Sequence, residues 1–285
     1  MTPGLTSCRR RWLFVEPIGL AFIERAHTDQ GKVVSVDQHS QHPPRRESVR
    51  DSFDHFFQPI LADNSERKCL AFRVRYDVYC REFQYEREEE CPGGLETDEY
   101  DKESVHGLVL HRPSGNVAGC VRVVPRETGN TNEALPLELR CGETLQHPTL
   151  RPPLLAAEGV CEISRLAVHG SFRRRFGETG SPLGDVSLPD ISAMERRTFP
   201  LVSIALFLVA TSLVKMIGKP HVFAMMEPRL ARLLKRSGLR FAPVGDIVDF
   251  RGLRAAYYIH VDEAIGGLNS DLTDLYRLIT RSIQA

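Results

Sequence analysis

The chain has 285 residues, 42% hydrophobic and 26% charged, with 18 Pro and 21 Gly, which excludes a disordered, collagen-like or peptide-sized protein and allows one large or two small domains. Thirty-seven basic residues balance thirty-seven acidic ones, so the chain lacks the basic field of a general nucleic-acid binder, and any charged partner is met by a local patch. Seven cysteines, at 8, 69, 80, 91, 120, 141 and 161, form no CxxC pair and no Cys/His cluster at zinc spacing. They read as reduced and structural, with no metal and no tightly bound cofactor.

Arg9, Arg10 and Arg11 followed by the apolar residues 12–23 imitate a secretion signal, but Glu16 and Pro17 interrupt the run and no small-residue cleavage site follows, so a cytoplasmic setting is expected. Residues 27–52 are polar, without apolar period, and contain Pro43-Pro44, which predicts a poorly ordered extension over 1–52 ahead of one domain over 53–285. Asp63 with Glu66 offers a capping-box start for a helix over 64–83, whose buried face holds Phe72, Val74, Tyr76, Val78, Tyr79 and Phe83. Residues 81–104 then carry ten acidic and three basic residues around Pro92-Gly93-Gly94. Strands are predicted at 105–111 and 117–125, joined by the turn Pro113-Ser-Gly-Asn116, and after an irregular stretch with one helical turn a further strand at 159–168.

A second irregular stretch over 170–198 leads to an apolar run at 201–214, which is 14 positions long and too short to span a bilayer, so no transmembrane segment is expected. It reads as a core helix that starts near Pro200 and stops at Gly218, with Pro220 beyond. Strands at 221–226, 239–244 and 255–261 and helices at 228–237 and 270–283 complete one mixed α/β sheet with helices on both faces.

Charges set inside apolar elements are costly unless paired or used. Three blocks hold them: Arg75-Tyr-Asp-Val-Tyr79; Glu96-Thr-Asp98-Glu-Tyr-Asp101; and Arg122 with Glu162-Ile-Ser164-Arg165. Strict alternation puts Glu162 and Ser164 on one strand face and Arg165 on the other, unless a bulge intervenes. Either Arg75, Arg122 and Arg165 hold a ligand's carboxylate, or they brace Asp98 and Asp101. Glu162 is either a base or the partner of Arg122 or Arg165. His106 and His169 read as structural, and no histidine is identified to activate a thiol.

The strings Arg75-Tyr-Asp-Val-Tyr-Cys-Arg81, Pro92-Gly-Gly-Leu-Glu96-Thr-Asp98-Glu-Tyr-Asp101, Ser104-Val-His106-Gly, Gly119-Cys-Val-Arg122 and Glu162-Ile-Ser164-Arg165-Leu-Ala-Val resemble the acyltransferases associated with bacterial PEP-CTERM/exosortase systems. Those are similar to N-acyl amino acid synthases and acyl-homoserine lactone synthases, a branch of the GCN5-related N-acyltransferase fold. The resemblance extends over about 53–262, through Met226-Glu-Pro-Arg and Phe250-Arg-Gly-Leu-Arg254. It implies a GNAT-like, mostly antiparallel sheet flanked by helices. It also implies an acyl-carrier-protein or acyl-CoA thioester as donor and a small amine as acceptor. By the same resemblance Arg75, Asp98, Asp101 and Arg122 line the substrate cleft, together with Tyr79 and Tyr85, which stand where the lactone synthases carry Phe and Trp. Glu162, Ser164 and Arg165 form the candidate catalytic set, with Ser164 beside the acyl pocket.

Arg174-Arg-Phe-Gly177-Glu-Thr179 supplies only the first part of the usual phosphate loop. Chemically, attack of an amine on a thioester needs a base, oxyanion donors and a dry acyl slot. Glu162 is the candidate base and backbone amides after it the candidate donors. Residues 215–254 carry nine basic against three acidic residues, a patch suited to an acidic carrier protein or CoA phosphates. Two rival readings remain, an acetyl-CoA-dependent N-acetyltransferase and a catalytically silent acyl or carrier-protein binding module.

Overall fold

The first helix, α1, spans Val49–Phe56, with the Ser48 hydroxyl accepting from the Asp51 N–H, and runs straight into strand β1, Phe57–Leu61. Both begin inside or just after the stretch that composition reads as unordered. Phe53 and Phe57 stack at 5.3 Å, and this aromatic pair anchors a segment whose polar N-terminal half gives no periodic signal. The computed structural model describes residues 48–126, 134–173, 198 and 201–285. The signal-like segment and the partial phosphate loop lie outside them, as does most of 170–198.

Helix α2, Ser65–Arg75, is capped by Asn64 rather than Asp63: its Oδ1 accepts from the Arg67 N–H at 2.9 Å. The predicted helix over 64–83 does not stay α-helical. From Tyr76 to Glu82 it widens into a π-helical turn, closed by the Phe83 N–H donating to the Val78 carbonyl. Strands β2 (Val105–His111) and β3 (Val117–Pro125) match expectation, and Gly115 takes the left-handed conformation (φ 70°) their turn requires. Helix α3 is Pro136–Cys141 and β4 is Val160–Val168. The apolar run forms α4, Leu201–Met216, ended by Gly218 at φ 69°. Then follow β5 (His221–Met226), α5 (Pro228–Arg236), β6 (Ala242–Pro243), β7 (Val248–Asp249), β8 (Leu253–His260), α6 (Val261–Gly266) and α7 (Ser270–Gln284). The strand predicted at 239–244 shrinks to Ala242 and Pro243, which pair with β8, because the Phe241 N–H turns back to the Leu239 carbonyl before the pairing begins.

The sheet order is β1-β2-β3-β4-β5-β8-β6, with β7 paired to β8. Among the described strands the β4–β5 junction is parallel and the others are antiparallel. This is the mixed, mostly antiparallel sheet that the sequence resemblance implies. One face is covered by α4 and α7 over Val109, Val121, Val123 and Ile163. Leu206, Leu208 and Leu213 of α4 are fully buried there, each stabilising the domain by roughly 1.5–3 kcal/mol. No described helix is long and apolar enough to cross a membrane. The other face carries α2 over Leu108, Cys120 and Ala167, and farther along, residues 134–155 over Val124, Val160 and Phe223. Between those two clusters the second face is open.

Close approach of α4 to the sheet depends on Gly119. A Cβ there would lie 2.7 Å from the Ala167 carbonyl and 2.8 Å from Leu206 Cδ1, backbone on one side and core on the other. Gly119→Ala is expected to destabilise by roughly 1–3 kcal/mol. A lowered urea midpoint with unchanged slope checks this, and an unchanged midpoint refutes it.

Candidate active site

In the open face β4 and β5 part. Their parallel pairing runs from Val160↔His221 to Ile163↔Ala224 and stops, while β4 continues to Val168 against β3 alone. Beside this gap the β3–β4 ladder carries a bulge: Arg122 faces Ser164 and Cys120 faces Ala167, so Arg165 and Leu166 together oppose Val121. Arg165 sits at φ 49°, a left-handed conformation rare for a long side chain. Strict alternation therefore fails at this point. The bulge turns Arg165 onto the face that holds Glu162 and Ser164, and all three line one cleft. The π-helical turn fits against the bulge, because the Tyr79 hydroxyl donates to the Leu166 carbonyl at 2.8 Å.

The acidic loop closes over these strands. Asp98 and Asp101 cap one another's turn: the Asp98 N–H donates to Asp101 Oδ2 at 2.7 Å and the Tyr100 N–H to Asp98 Oδ1 at 3.0 Å. Their carboxylates meet three guanidinium groups. Arg75 Nη1 and Nη2 grip Asp101 at 2.6 and 2.9 Å, and its Nε donates to Glu96. Arg122 Nη1 reaches Asp98 and, at 2.8 Å, Asp101, while its Nε donates to Ser164 Oγ at 3.1 Å. Arg165 pairs with Glu96 and Asp98, each at 3.0 Å. Burial alone would raise the Asp101 carboxyl; Arg75 and Arg122 overcome it and hold that carboxyl well below the usual range. Asp98 is lowered against burial in the same way by Arg122 and Arg165. His106 lies behind this network with Nε2 3.6 Å from Asp101, and burial lowers its pKa to about 4, so it is neutral.

Glu162 differs from every other carboxylate here. It is 3% exposed and makes no ion pair among the described residues; Oε2 accepts from the Leu137 N–H at 2.8 Å. Burial pushes its carboxyl up to about 7, against the pull of that N–H and of Arg122 and Arg165. A carboxyl poised near neutral pH in a cleft is suited to accept a proton.

The cleft has a volume of about 300 Å³. Of the predicted site residues, Tyr79, Tyr85, Asp98, Glu162, Ser164 and Arg165 line it, whereas Arg75, Asp101 and Arg122 stand behind its wall. Arg75 and Arg122 are 0% exposed and paired with buried carboxylates, Arg75 with Glu96 and Asp101 and Arg122 with Asp98 and Asp101, while Arg122 Nη2 is buried without an acceptor; of the two roles open for them this pairing is the geometry of braces. Beneath Ile163, between the sheet and α4, lies an apolar cavity of about 10 Å³ bounded by Phe207, Val222, Ile259 and neighbours. That is room for about one water-sized probe.

Sequence reasoning did not name Glu86 and Arg140 as parts of this site, and it held Glu96 only within a charged block and Arg251 and Arg254 only inside a resembling string. Glu96 was visible as the first acid of its block. Glu86 directly follows Tyr85, whereas Arg140, Arg251 and Arg254 come from segments remote in sequence that only the folded sheet assembles.

Residues 74–180 match the family described as Acetyltransferase (GNAT) domain. Among solved structures, TofI in a ternary complex with an inhibitor and MTA is similar at 17% identity and a TM-score of 0.52, over 75% of this chain and 99% of that one. The AHL synthase LasI is similar at 14% identity and a TM-score of 0.50, over 75% and 95%. FeeM, an N-acyl amino acid synthase from uncultured soil microbes, aligns at 12% identity and 0.47, over 76% and 96%. No curated protein sequence matches. The domain match and the shared fold together support an N-acyltransferase.

Proposed function

We propose that this chain moves an acyl group from an acyl-CoA or acyl-carrier-protein thioester to the amine of a small acceptor such as an amino acid, with Glu162 as general base. The observation that carries the reading is Glu162 itself, an unpaired buried carboxyl beside the point where β4 and β5 diverge. The acceptor's ammonium gives its proton to Glu162, directly or through a water. The free amine attacks the thioester carbonyl and the C–N bond forms; as the C–S bond breaks, the second proton on that nitrogen passes to the departing thiolate, and Glu162 releases the first to solvent. Backbone N–H groups of β4 beyond Ile163, which have no partner on β5, would hold the developing oxyanion. Ser164 is oriented by Arg122 Nε and Arg165 is anchored by Glu96 and Asp98; both border the reacting centre.

The exposed Arg232, Lys235 and Arg236 on α5 suit an acidic carrier or the phosphates of CoA. The resembling residue strings point to a setting beside a PEP-CTERM/exosortase system. The small apolar cavity favours a second reading on one point: a short acyl group, as in an acetyl-CoA-dependent enzyme, fits without repacking of α4, and a long one does not.

The test is incubation of the purified protein with CoA and carrier-protein thioesters from acetyl to long-chain acyl and a broad amine pool, followed by mass spectrometry. N-acylated product is expected, with one donor class preferred. Carrier binding without product from any donor would leave a silent binding module and remove the enzyme reading.

A further inference from the structure

The charged groups lining the cleft sort by segment. Apart from Glu162 and Arg165 on β4, the carboxylates come from the loop between Glu86 and Glu99, whereas Arg251 and Arg254 come from the β7–β8 hairpin and Arg140 from α3. Arg251, at φ 55° in the tight turn, is neutralised by Glu86. Arg254 is not. It makes no ion pair among the described residues, its guanidinium lies 5.8 Å over the Tyr85 ring, and its Nε is buried without an acceptor. A buried guanidinium N–H with no acceptor is costly unless a ligand supplies one.

Register places Arg254 at the mouth of the gap. Glu162 faces Phe223 on β5, Phe223 faces Tyr258 on β8, and Met225 faces Ala256. Arg254 lies two residues beyond Ala256 along β8, so it shares that sheet face and stands where β4 and β5 have separated.

We infer that Arg254 is a carboxylate-binding residue that selects the acceptor: an acceptor carrying both an amine and a carboxylate is held with the carboxylate on Arg254 and the amine toward Glu162. This rests on the acyl-transfer reading, and it moves the carboxylate-holding role away from Arg75 and Arg122, whose charges are already consumed inside the wall. Arg140, exposed and stacked 5.2 Å over Phe250, adds a second cation at the rim of the same subsite.

The test compares a pool of free amino acids with the same pool as C-terminal amides, using acyl-CoA donors. The wild-type protein is expected to prefer the acids, and Arg254→Met to reduce the acid-over-amide ratio of kcat/KM by roughly ten- to a hundredfold, with Arg254→Lys restoring part of it. Equal use of acids and amides by the wild type, or equal losses on both in the variant, overturns the inference. So does a raised KM for acyl-CoA with an unchanged acceptor preference, because the guanidinium would then serve the donor's phosphates. If no donor supports transfer, the acyl-transfer reading fails by itself, and ligand-detected NMR binding of the two pools decides the subsite. Amino acids retained over amides by the wild type but not by Arg254→Met uphold it. Any other binding pattern overturns it.

Discussion

Glu162→Gln is expected to lower turnover by roughly 10²- to 10⁴-fold, the range for loss of a general base. Glutamine keeps an oxygen to accept the Leu137 N–H, so the local backbone is undisturbed while the proton acceptor is gone. The wild-type kcat/KM is expected to rise with pH through about 7, where the buried carboxyl ionises, and the residual activity of the variant to lack that limb. The same variant is expected to be more stable than wild type at high pH. Moving a carboxyl from its ordinary 4.5 to about 7 corresponds to roughly 3 kcal/mol. Because the folded-state value is the higher one, this stabilisation is full below 4.5 and lost as pH rises through about 7. At pH 8 the variant should therefore melt several degrees above wild type, and near pH 5 the two should nearly coincide. Thermal unfolding at the two pH values checks the sign. Unchanged turnover in Glu162→Gln would remove the residue from the chemistry.

Asp101→Ala is expected to destabilise the domain by roughly 3–5 kcal/mol, because it leaves two fully buried guanidinium groups without their shared acceptor. Arg75 would keep only Glu96, and Arg122 only Asp98 and Ser164. Asp101 also receives the Asp98 N–H, so the loop that anchors Arg165 should loosen and turnover fall with stability. The acid limb of stability has the opposite sign to that of Glu162. Asp98 and Asp101 are held below the ordinary carboxylate value of 3.8, so their contribution is present above it and lost as pH falls further. Urea unfolding at neutral pH measures the first effect, and acid unfolding displaced to higher pH in the variant the second. A variant within about 0.5 kcal/mol of wild type would mean that the cluster does not tie the loop to the sheet.

Much of the framework is legible without a structure because it depends on short-range physics. Alternating β-branched residues with a Pro-Ser-Gly-Asn turn specify β2 and β3 to the residue. A run apolar on all sides, ended by Gly218, specifies the covered helix α4. The elements that escaped are those set by partners. β1 is an edge strand with Pro59 in its middle, and α1 is polar except for Val49 and its aromatic anchors. The π-helical turn has no periodicity of its own and forms where Tyr79 reaches the Leu166 carbonyl.

The chain by itself determined which charges had to be explained, because guanidinium and carboxylate groups inside apolar segments are expensive wherever they end up. What each one does was decided in three dimensions. Ion pairing and desolvation depend on distances across segments that sequence spacing does not encode. One extra residue in β4 turned Arg165 toward the cleft, Glu96, Asp98 and Asp101 paired with Arg75 and Arg122 behind its wall, and Glu162 was left buried with no cation paired to it among the described residues.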